Sequence, residues 1–245
     1  MTEDLPTMYT VGVLGGLGPE ATLDFFAKVL AKTPAHSDQE HLHLLIDNNP
    51  QVPNRNDAIA RQGESPGPIL AHMAAGLERA GADFVVMACN AAHAFQADIE
   101  AALYVPFISI IEETTAATLE TKARRVGVLA ADACRQAGLY QDSFASHEVE
   151  TLWLSASDQA EFMALLYRIK AGERNAMLSS AMQRLAQSLC TAGAEVIVAG
   201  CTEVPLVLSG DALPCLLISS TDVLAEATVA YARKQRPLPK LDLQV

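Results

Sequence analysis

Residues 81–93, GADFVVMACNAAH, decide the fold of this chain because they have a partner at residues 193–205, GAEVIVAGCTEVP. Each segment begins with Gly-Ala and an acid, continues as a short apolar run, and reaches a cysteine that a small polar residue follows. The two cysteines, Cys89 and Cys201, therefore occupy the same place in the repeat. Short Val-rich runs bounded by glycine are typical of buried strands. Open α/β sheets place their ligand sites at the carboxyl ends of such strands, where we expect both cysteines to lie.

Three further pairs of segments repeat along the chain in the same order and indicate an internal duplication. The pairs are 11–16 with 126–131, 104–109 with 213–219, and 117–118 with 227–228. The two members of each pair are separated by nearly the same number of residues, provided that 104–109 and 213–219 are aligned at Ser109 and Ser219. We therefore predict an α/β fold of two similar lobes with mostly parallel sheets. A pseudo-two-fold axis should relate the lobes, with the active site in the cleft between them.

The duplication also predicts how the chain divides between the lobes. Residues 1–113, joined by 221–245, are expected to form an N-terminal lobe that carries Cys89. Residues 114–220 are expected to form a C-terminal lobe that carries Cys201.

Composition excludes several classes of protein. Half of the 245 residues are hydrophobic and 19% are charged, so the chain can build a core and is not disordered. A net charge of −12 argues against a nucleic-acid surface, and apolar runs of strand length argue against a membrane span. Residues 1–8 carry two acids and no basic region, which does not suit a secretory signal and predicts a cytoplasmic protein. Five cysteines without metal-ligand spacing then suggest free thiols and no bound metal.

Two loops after predicted strands carry candidate binding residues. Residues 9–14 predict the first strand, and GGLGPE at 15–20 is either an anion-binding loop at a helix start or an ordinary tight turn. Residues 41–47 predict the second strand, and the loop after it contains Arg55. This arginine is either a bidentate clamp for a carboxylate or, as loop arginines more often are, a solvated side chain.

The segments around the first cysteine predict its chemical environment. Residues 90–102 are expected to form a helix, which would bias the Cys89 thiol toward thiolate because the thiol lies near a helix N-terminus. Residues 105–111 are expected to form a further strand.

Two thiols at matched positions suit the inversion of a stereocentre. One thiolate removes an α-proton while the opposite thiol delivers a proton to the other face, and no cofactor is needed if N–H groups and cations stabilise the carbanion. The alternative is that both cysteines are structural, which is the common role of a buried cysteine. The duplication favours the catalytic interpretation for Cys89 and Cys201, whereas Cys134, Cys190 and Cys215 have no such pairing and are interpreted as structural.

Four motifs resemble those of the cofactor-independent aspartate/glutamate racemases, most closely the branch that contains aspartate racemase. They are GGLGPEAT at 15–22, NNPQVPNR at 48–55, ACNAAH at 88–93 and GCTE at 200–203. The similarity covers nearly the whole chain. It implies two α/β lobes, catalysis without pyridoxal phosphate, an acidic amino acid as the substrate, and commonly a homodimer.

The resemblance also implies roles for individual residues. Cys89 and Cys201 correspond to the two bases. The implied substrate ligands are Asn90 and Thr202 for the α-groups, and Arg55 and Lys170 for the distal carboxylate.

The chain departs from the family pattern at several positions. Ala91 stands where threonine usually follows Cys-Asn, Leu17 replaces a frequent methionine, and residues 130–134 lack the usual threonines, with Ala131 and Cys134 among them. Each missing hydroxyl donor costs about 1–3 kcal/mol of binding if the site is buried. We therefore keep three hypotheses: a racemase of aspartate or else glutamate, a decarboxylase or isomerase of small diacids, and a weakly active protein that binds an acidic metabolite. Retention of both cysteines weighs against the second.

Overall fold

The described part of the chain contains eight parallel strands, which form two four-stranded sheets with the same strand order. The computed structural model describes residues 8–241. Residues 1–7, whose sequence does not suit a secretory signal, and residues 242–245 lie outside the described part. The first sheet has the order β2-β1-β3-β4, and its strands are β1 (Val11–Gly15), β2 (Leu44–Asn48), β3 (Phe84–Met87) and β4 (Phe107–Ile108). The second has the order β6-β5-β7-β8, and its strands are β5 (Arg125–Leu129), β6 (Glu150–Leu152), β7 (Val196–Ala199) and β8 (Leu216–Ser219). The predicted fold class is confirmed.

Strand register reproduces the sequence repeat. Val11 pairs with Phe84 in the first sheet, and in the second Val126, the counterpart of Val11, pairs with Val196, the counterpart of Phe84. The neighbouring strands behave alike, since β3 pairs with β4 in the register that β7 adopts with β8. The two lobes are therefore copies at the level of hydrogen-bonded residue pairs.

Ten helices within residues 8–241 cover the sheets. They are α1 (Pro19–Lys32), α2 (Arg55–Ile59), α3 (Gly67–Arg79), α4 (Gln96–Glu100), α5 (Ile110–Glu120), α6 (Asp132–Gln136), α7 (Leu139–Ala145), α8 (Ala156–Lys170), α9 (Ala176–Thr191) and α10 (Ser220–Ala232). Short 3₁₀ turns occupy Asp38–Glu40, Ala91–Phe95, Val204–Leu206 and Gly210–Ala212. None of the described helices is both long and apolar enough to cross a bilayer.

The core has three layers because strand residues alternate between faces. Val85 faces α3 and α4 on the outside of the first sheet, and Ile197 faces α8 and α9 on the outside of the second. Val86 and Val198 instead belong to one central cluster that also contains residues of α1, α5, α7 and α10. The inner faces of both sheets thus share one apolar core.

Two paired features explain why the repeats were visible in the sequence. Ser109 and Ser219 cap the N-termini of α5 and α10, where each hydroxyl accepts a backbone N–H three residues later. A Cβ added at Gly12 would lie 3.1 Å from Leu77, and one at Gly127 would lie 3.0 Å from Leu189, so glycine lets α3 and α9 lie close to their sheets.

Several expected element boundaries need correction. The helix expected over 90–102 is instead the 3₁₀ turn Ala91–Phe95 followed by the short helix α4. The strand expected over 105–111 ends at Ile108, because Ser109 begins a helix there. The thiol of Cys89 therefore does not have the long following helix that was expected to favour thiolate.

The expectation of five free thiols is also wrong. Cys190, at the end of α9, forms a disulfide with Cys215, which precedes β8, and their Cα atoms are 6.5 Å apart. The adjacency of β7 and β8 brings these two positions together although 25 residues separate them. Cys89, Cys134 and Cys201 are free and buried.

Candidate active site

The two cysteines occupy equivalent strand ends. Cys89 follows β3 and Cys201 follows β7, each strand being an inner strand of its sheet. Their exposed fractions are only 7% and 8%, so both thiols are almost withdrawn from solvent. Parallel strands thus present both at carboxyl ends, the edge where α/β sheets bind ligands.

Glu203 is the immediate partner of the second cysteine. The Cys201 thiol donates a hydrogen bond of 2.9 Å to Oε2 of Glu203, and the Thr202 hydroxyl donates to the same oxygen at 3.4 Å. Oε1 of Glu203 forms an ion pair with Nζ of Lys170, at the end of α8. Glu203 is 3% exposed, and a buried carboxylate with a cation and two donors is a satisfied anion.

These partners act in opposite directions on the second thiol. Burial raises the pKa of Cys201 well above its ordinary value, and the negative charge of Glu203 raises it further. The positive charge of Lys170 and the backbone N–H of Glu203 lower that pKa, but they do not overcome the burial. Cys201 is therefore held as a neutral thiol, the form that can deliver a proton.

Lys170 interacts with both cysteines. Burial lowers the pKa of Lys170, but the carboxylate of Glu203, followed by Cys201 and then Cys89, raises it above its ordinary value. One cation thus interacts with thiols of both lobes. Of the residues that the sequence placed in the site, Lys170 and Cys201 share the partner Glu203.

A glycine of the N-terminal lobe lies against the Glu203–Lys170 pair of the C-terminal lobe. Gly18 is the residue before α1, and a Cβ added there would lie 2.7 Å from Oε1 of Glu203 and 3.5 Å from Nζ of Lys170. Any larger residue would push these two side chains away. Nearby, Arg174 of the C-terminal lobe forms an ion pair with Glu20 in the first turn of α1.

The first cysteine has a histidine instead of a carboxylate. Ring atom Nδ1 of the buried His93 contacts the carbonyl oxygen of Cys89 at 2.8 Å, and Nε2 accepts the backbone N–H of Ile110 at 3.1 Å. Because Nε2 is an acceptor, Nδ1 carries the proton and donates it to Cys89. Burial lowers the pKa of His93 to about 4, against weaker effects of the Cys89 and Asn90 backbone. The neutral ring ties the cysteine turn to the start of α5.

Two of the predicted ligands have their side chains committed to the protein. Asn90 donates through Nδ2 to the hydroxyl of Ser220 at 3.0 Å and accepts the Tyr140 hydroxyl at 2.6 Å, and it is 2% exposed. Thr202 is equally buried and bonds to Glu203. Both side chains therefore already have protein partners.

Arg55 is held by backbone oxygens. Its guanidinium donates to the carbonyls of Val52, Pro53 and Leu17 at 2.9–3.3 Å. It therefore fastens the loop before α2 to the loop after β1. At that second loop the N–H of Gly16 bonds to the hydroxyl of Thr22, so this N–H is not available to an anion and the tight-turn interpretation holds for it.

The region without threonines is closely packed. Ala131 and Cys134 are buried, and burial raises the pKa of Cys134 far above its usual range. The backbone N–H of Ala133 donates to Oδ1 of Asn56 at 3.0 Å, which joins α6 to α2 across the lobes. Ala91 is half-buried beside the first cysteine.

Four residues with contacts at the site were given no role in the sequence analysis, namely Glu203, His93, Tyr140 and Ser220. Glu203 had a visible signal, because it ends the GCTE motif two residues after a cysteine. His93 likewise ends ACNAAH. Tyr140 and Ser220 are distant in sequence from both cysteines, and no local pattern indicated them.

Comparisons with known proteins agree on one family. A family model described as Asp/Glu/Hydantoin racemase matches residues 14–228. The broad specificity amino-acid racemase RacX of Bacillus subtilis (strain 168) is 28% identical over 228 residues, which cover 90% of this chain and 96% of that protein.

Solved structures show the same fold. The aspartate racemase of Picrophilus torridus superposes with a TM-score of 0.83 at 25% identity, covering 95% of this chain and 96% of that chain. An aspartate racemase homologue from Pyrococcus horikoshii OT3 has a TM-score of 0.75 at 22% identity, covering 92% of this chain and 99% of its own, and supports the fold alone.

Proposed function

Because the chain belongs to the Asp/Glu/hydantoin racemase family, we propose that it is an amino-acid racemase that interconverts L- and D-aspartate without a cofactor. Cys89 and Cys201 are the two bases of this proposal. The observation that carries the proposal is the Cys201 thiol hydrogen-bonded to a buried Glu203 that pairs with Lys170, while Cys89 occupies the equivalent strand end of the other lobe.

The proposed reaction is a proton transfer across the substrate α-carbon. The Cys89 thiolate removes the α-proton from one face, and the neutral Cys201 thiol delivers its proton to the other face. This step leaves Cys89 protonated and Cys201 as a thiolate. In the opposite direction Cys201 is the base, and the positive charge of Lys170 supports its thiolate.

Stabilisation of the carbanion is the remaining requirement. The first N–H groups of a helical turn have no partner within that turn. The 3₁₀ turn Ala91–Phe95 after Cys89 and the backbone N–H of Thr202 after Cys201 therefore supply donors for the α-carboxylate, on which negative charge grows as the α-proton leaves.

The test follows the α-proton and the configuration separately. L-aspartate is incubated with the protein in D₂O without pyridoxal phosphate, proton NMR follows loss of the α-proton, and chiral chromatography follows D-aspartate. We expect both in the wild type. Cys89→Ala and Cys201→Ala should each lower inversion by about 10²–10⁴-fold, since each lacks one proton-transfer group. Each variant should retain at most exchange of the enantiomer that its remaining thiol faces.

Cys134→Ala is the matched control, because Cys134 is a third buried free thiol and should leave inversion unchanged. Exchange by the wild type without inversion would contradict the two-base mechanism. No exchange with aspartate, glutamate or small diacids would leave the hypothesis of a protein that only binds an acidic metabolite.

A second candidate is a racemase that accepts several amino acids. Arg55 donates to three backbone carbonyls and Lys170 pairs with Glu203, so both cations expected to bind a distal carboxylate already have protein partners. The similarity to RacX, which is named for broad specificity, also supports activity on several amino acids. Relative kcat/KM values for aspartate, glutamate, alanine and serine separate the candidates. A preference for aspartate of about 10⁴-fold or more, typical of a site built to pair a polar group, would reject the broad-specificity candidate.

A homodimer and a cytoplasmic location are also proposed, on the family resemblance and the composition. Light scattering at several protein concentrations tests the first. A mass of one 26.1 kDa chain at every concentration would reject it.

A further inference from the structure

A buried hydrogen-bond chain joins the two cysteine turns across the lobes. The Tyr140 hydroxyl, from α7, donates to Oδ1 of Asn90 at 2.6 Å. Nδ2 of Asn90 donates to the hydroxyl of Ser220 at 3.0 Å, and that hydroxyl donates to the carbonyl oxygen of Ala199 at 2.8 Å. Asn90 is 2% exposed, and Tyr140 and Ser220 are fully buried. We name this series the Tyr140–Asn90–Ser220 chain.

The ends of the chain lie next to the two thiols. Asn90 directly follows Cys89, and Ala199 is two residues before Cys201. The Tyr140 ring also packs on Gly200, the residue between Ala199 and Cys201. A Cβ added at Gly200 would lie 2.8 Å from ring atom Cε2. The chain therefore ties the turn of one cysteine to the turn of the other.

The chain needs an asparagine at its centre. One end of the side chain must accept from Tyr140 and the other must donate to Ser220, and an amide does both without charge. Aspartate would place a negative charge in a closed site and leave the Ser220 side without its donor. An amide bonded to the protein at both its oxygen and its nitrogen fixes the orientation of the turn that contains it.

We propose that Tyr140 and Ser220 are positioning residues that set the separation and orientation of Cys89 and Cys201 by holding Asn90. Their effect on turnover rests on the proposed racemase function, whereas their effect on the reactivity of the Cys89 and Cys201 thiols does not. Two bases that act on opposite faces of one carbon need a fixed spacing, and small displacements of reacting groups are costly.

The first test is kinetic. Tyr140→Phe keeps the ring against Gly200 and removes only the hydroxyl. We expect kcat to fall by about 10- to 100-fold with KM unchanged within about two-fold, because the substrate still binds while the bases are misplaced. Tyr231→Phe is the matched control, since its hydroxyl bonds to Glu113 rather than to Asn90, and it should leave kcat unchanged.

Ser220→Ala is the second variant, because it changes little volume and remains informative if Tyr140→Phe does not fold. It should also lower kcat with little effect on KM. If both act through Asn90, the double variant should lose less than the product of the single losses. An unchanged kcat in both single variants would overturn the proposal, and so would fully multiplicative losses.

The second test needs no turnover. Alkylation of Cys89 and Cys201 by iodoacetamide is followed by peptide mass spectrometry in folded protein. Tyr140→Phe should change both rates by about three-fold or more, because thiol reactivity follows access and local partners, and Tyr231→Phe should change neither. If the wild type racemises no amino acid but the rates change as expected, the proposed function fails and the positioning role stands. If the wild type is active but rates and kcat stay unchanged, the positioning role fails alone.

Discussion

The two lobes have the same backbone around their cysteines but different side chains beside them. When the two cysteines are aligned, Glu203 of the C-terminal lobe corresponds to Ala91, and His93 of the N-terminal lobe corresponds to Pro205. Cys201 therefore donates to a buried carboxylate, whereas the Cys89 carbonyl accepts from a neutral imidazole. The position of the cysteine is therefore the same in both lobes, whereas the ionisable group beside it, a carboxylate in one lobe and an imidazole in the other, is not.

A second difference between the lobes lies where the helix before each cysteine strand meets the edge strand. In the C-terminal lobe Cys190 and Cys215 form a disulfide. The corresponding positions of the other lobe are Glu78 and Val105, and there the Glu78 carboxylate accepts the backbone N–H of Tyr104 at 3.1 and 3.2 Å. One structural need, to fasten helix to strand, is met covalently in one lobe and by hydrogen bonds in the other.

The largest change in stability should come from removing the Cys190–Cys215 disulfide. Replacing both Cys190 and Cys215 by serine should lower the free energy of unfolding by about 3.5 kcal/mol, because the disulfide closes a loop of 25 residues. Urea denaturation measures this loss. Titration of thiols in unfolded protein should find three without reductant and five with it. Five in both conditions would remove this difference between the lobes.

The next effect concerns the histidine that only the N-terminal lobe has. The folded pKa of His93 is about 4 and its ordinary value is 6.5, so the folded state binds fewer protons than the unfolded state between these values. Stability is therefore present above pH 6.5 and is lost as the pH falls toward 4, by about 3 kcal/mol. His93→Gln should flatten this profile, measured by urea denaturation at several pH values. His147→Gln, at an exposed position, is the control. If stability changed with pH equally steeply in both variants, His93 would not be the group responsible.

Glu203→Gln tests the carboxylate that only the C-terminal lobe has. Removing its charge should lower the pKa of Cys201 while Lys170 still favours the thiolate, so iodoacetamide should alkylate Cys201 faster at neutral pH. Racemisation should fall by about 100-fold, because Cys201 then lacks the proton that it delivers in the direction in which it is the acid. Lys170→Met should change the alkylation rate in the opposite direction. An unchanged alkylation rate in Glu203→Gln would show that burial alone governs the pKa of this thiol.

The smallest effect should come from the hydrogen-bonded tie. Glu78→Ala removes the acceptor for the Tyr104 N–H at a solvent-exposed place, which should cost about 0.5–1 kcal/mol of unfolding free energy. Arg79→Ala, next along the same helix, is the control. A loss as large as that of the disulfide variant would mean that the two ties are equivalent.

The sequence predicted the duplication, the parallel sheets and the strand ends that carry the cysteines, because a repeat preserves hydrophobic pattern and capping serines such as Ser109 and Ser219. It did not predict the contacts between the lobes. The bond from Tyr140 to Asn90 joins residues 50 apart, and that from Asn90 to Ser220 joins residues 130 apart, so neither has a periodic signature. Arg55 was expected within the loop after β2, whereas it is the first residue of α2, behind the N-cap Asn54. Whether its guanidinium faces a ligand or backbone carbonyls depends on how the loops after β1 and β2 meet.

The central cluster shared by both sheets has a consequence for the origin of the molecule. Each sheet covers its inner face with helices that also pack on the other lobe, so a chain of one lobe alone would leave that face open to water. Two copies of such a half-length ancestor would have covered each other and brought two identical thiols together. In a single chain that holds both copies each thiol is free of its twin, so a glutamate stands beside Cys201 without a second, repelling glutamate beside Cys89.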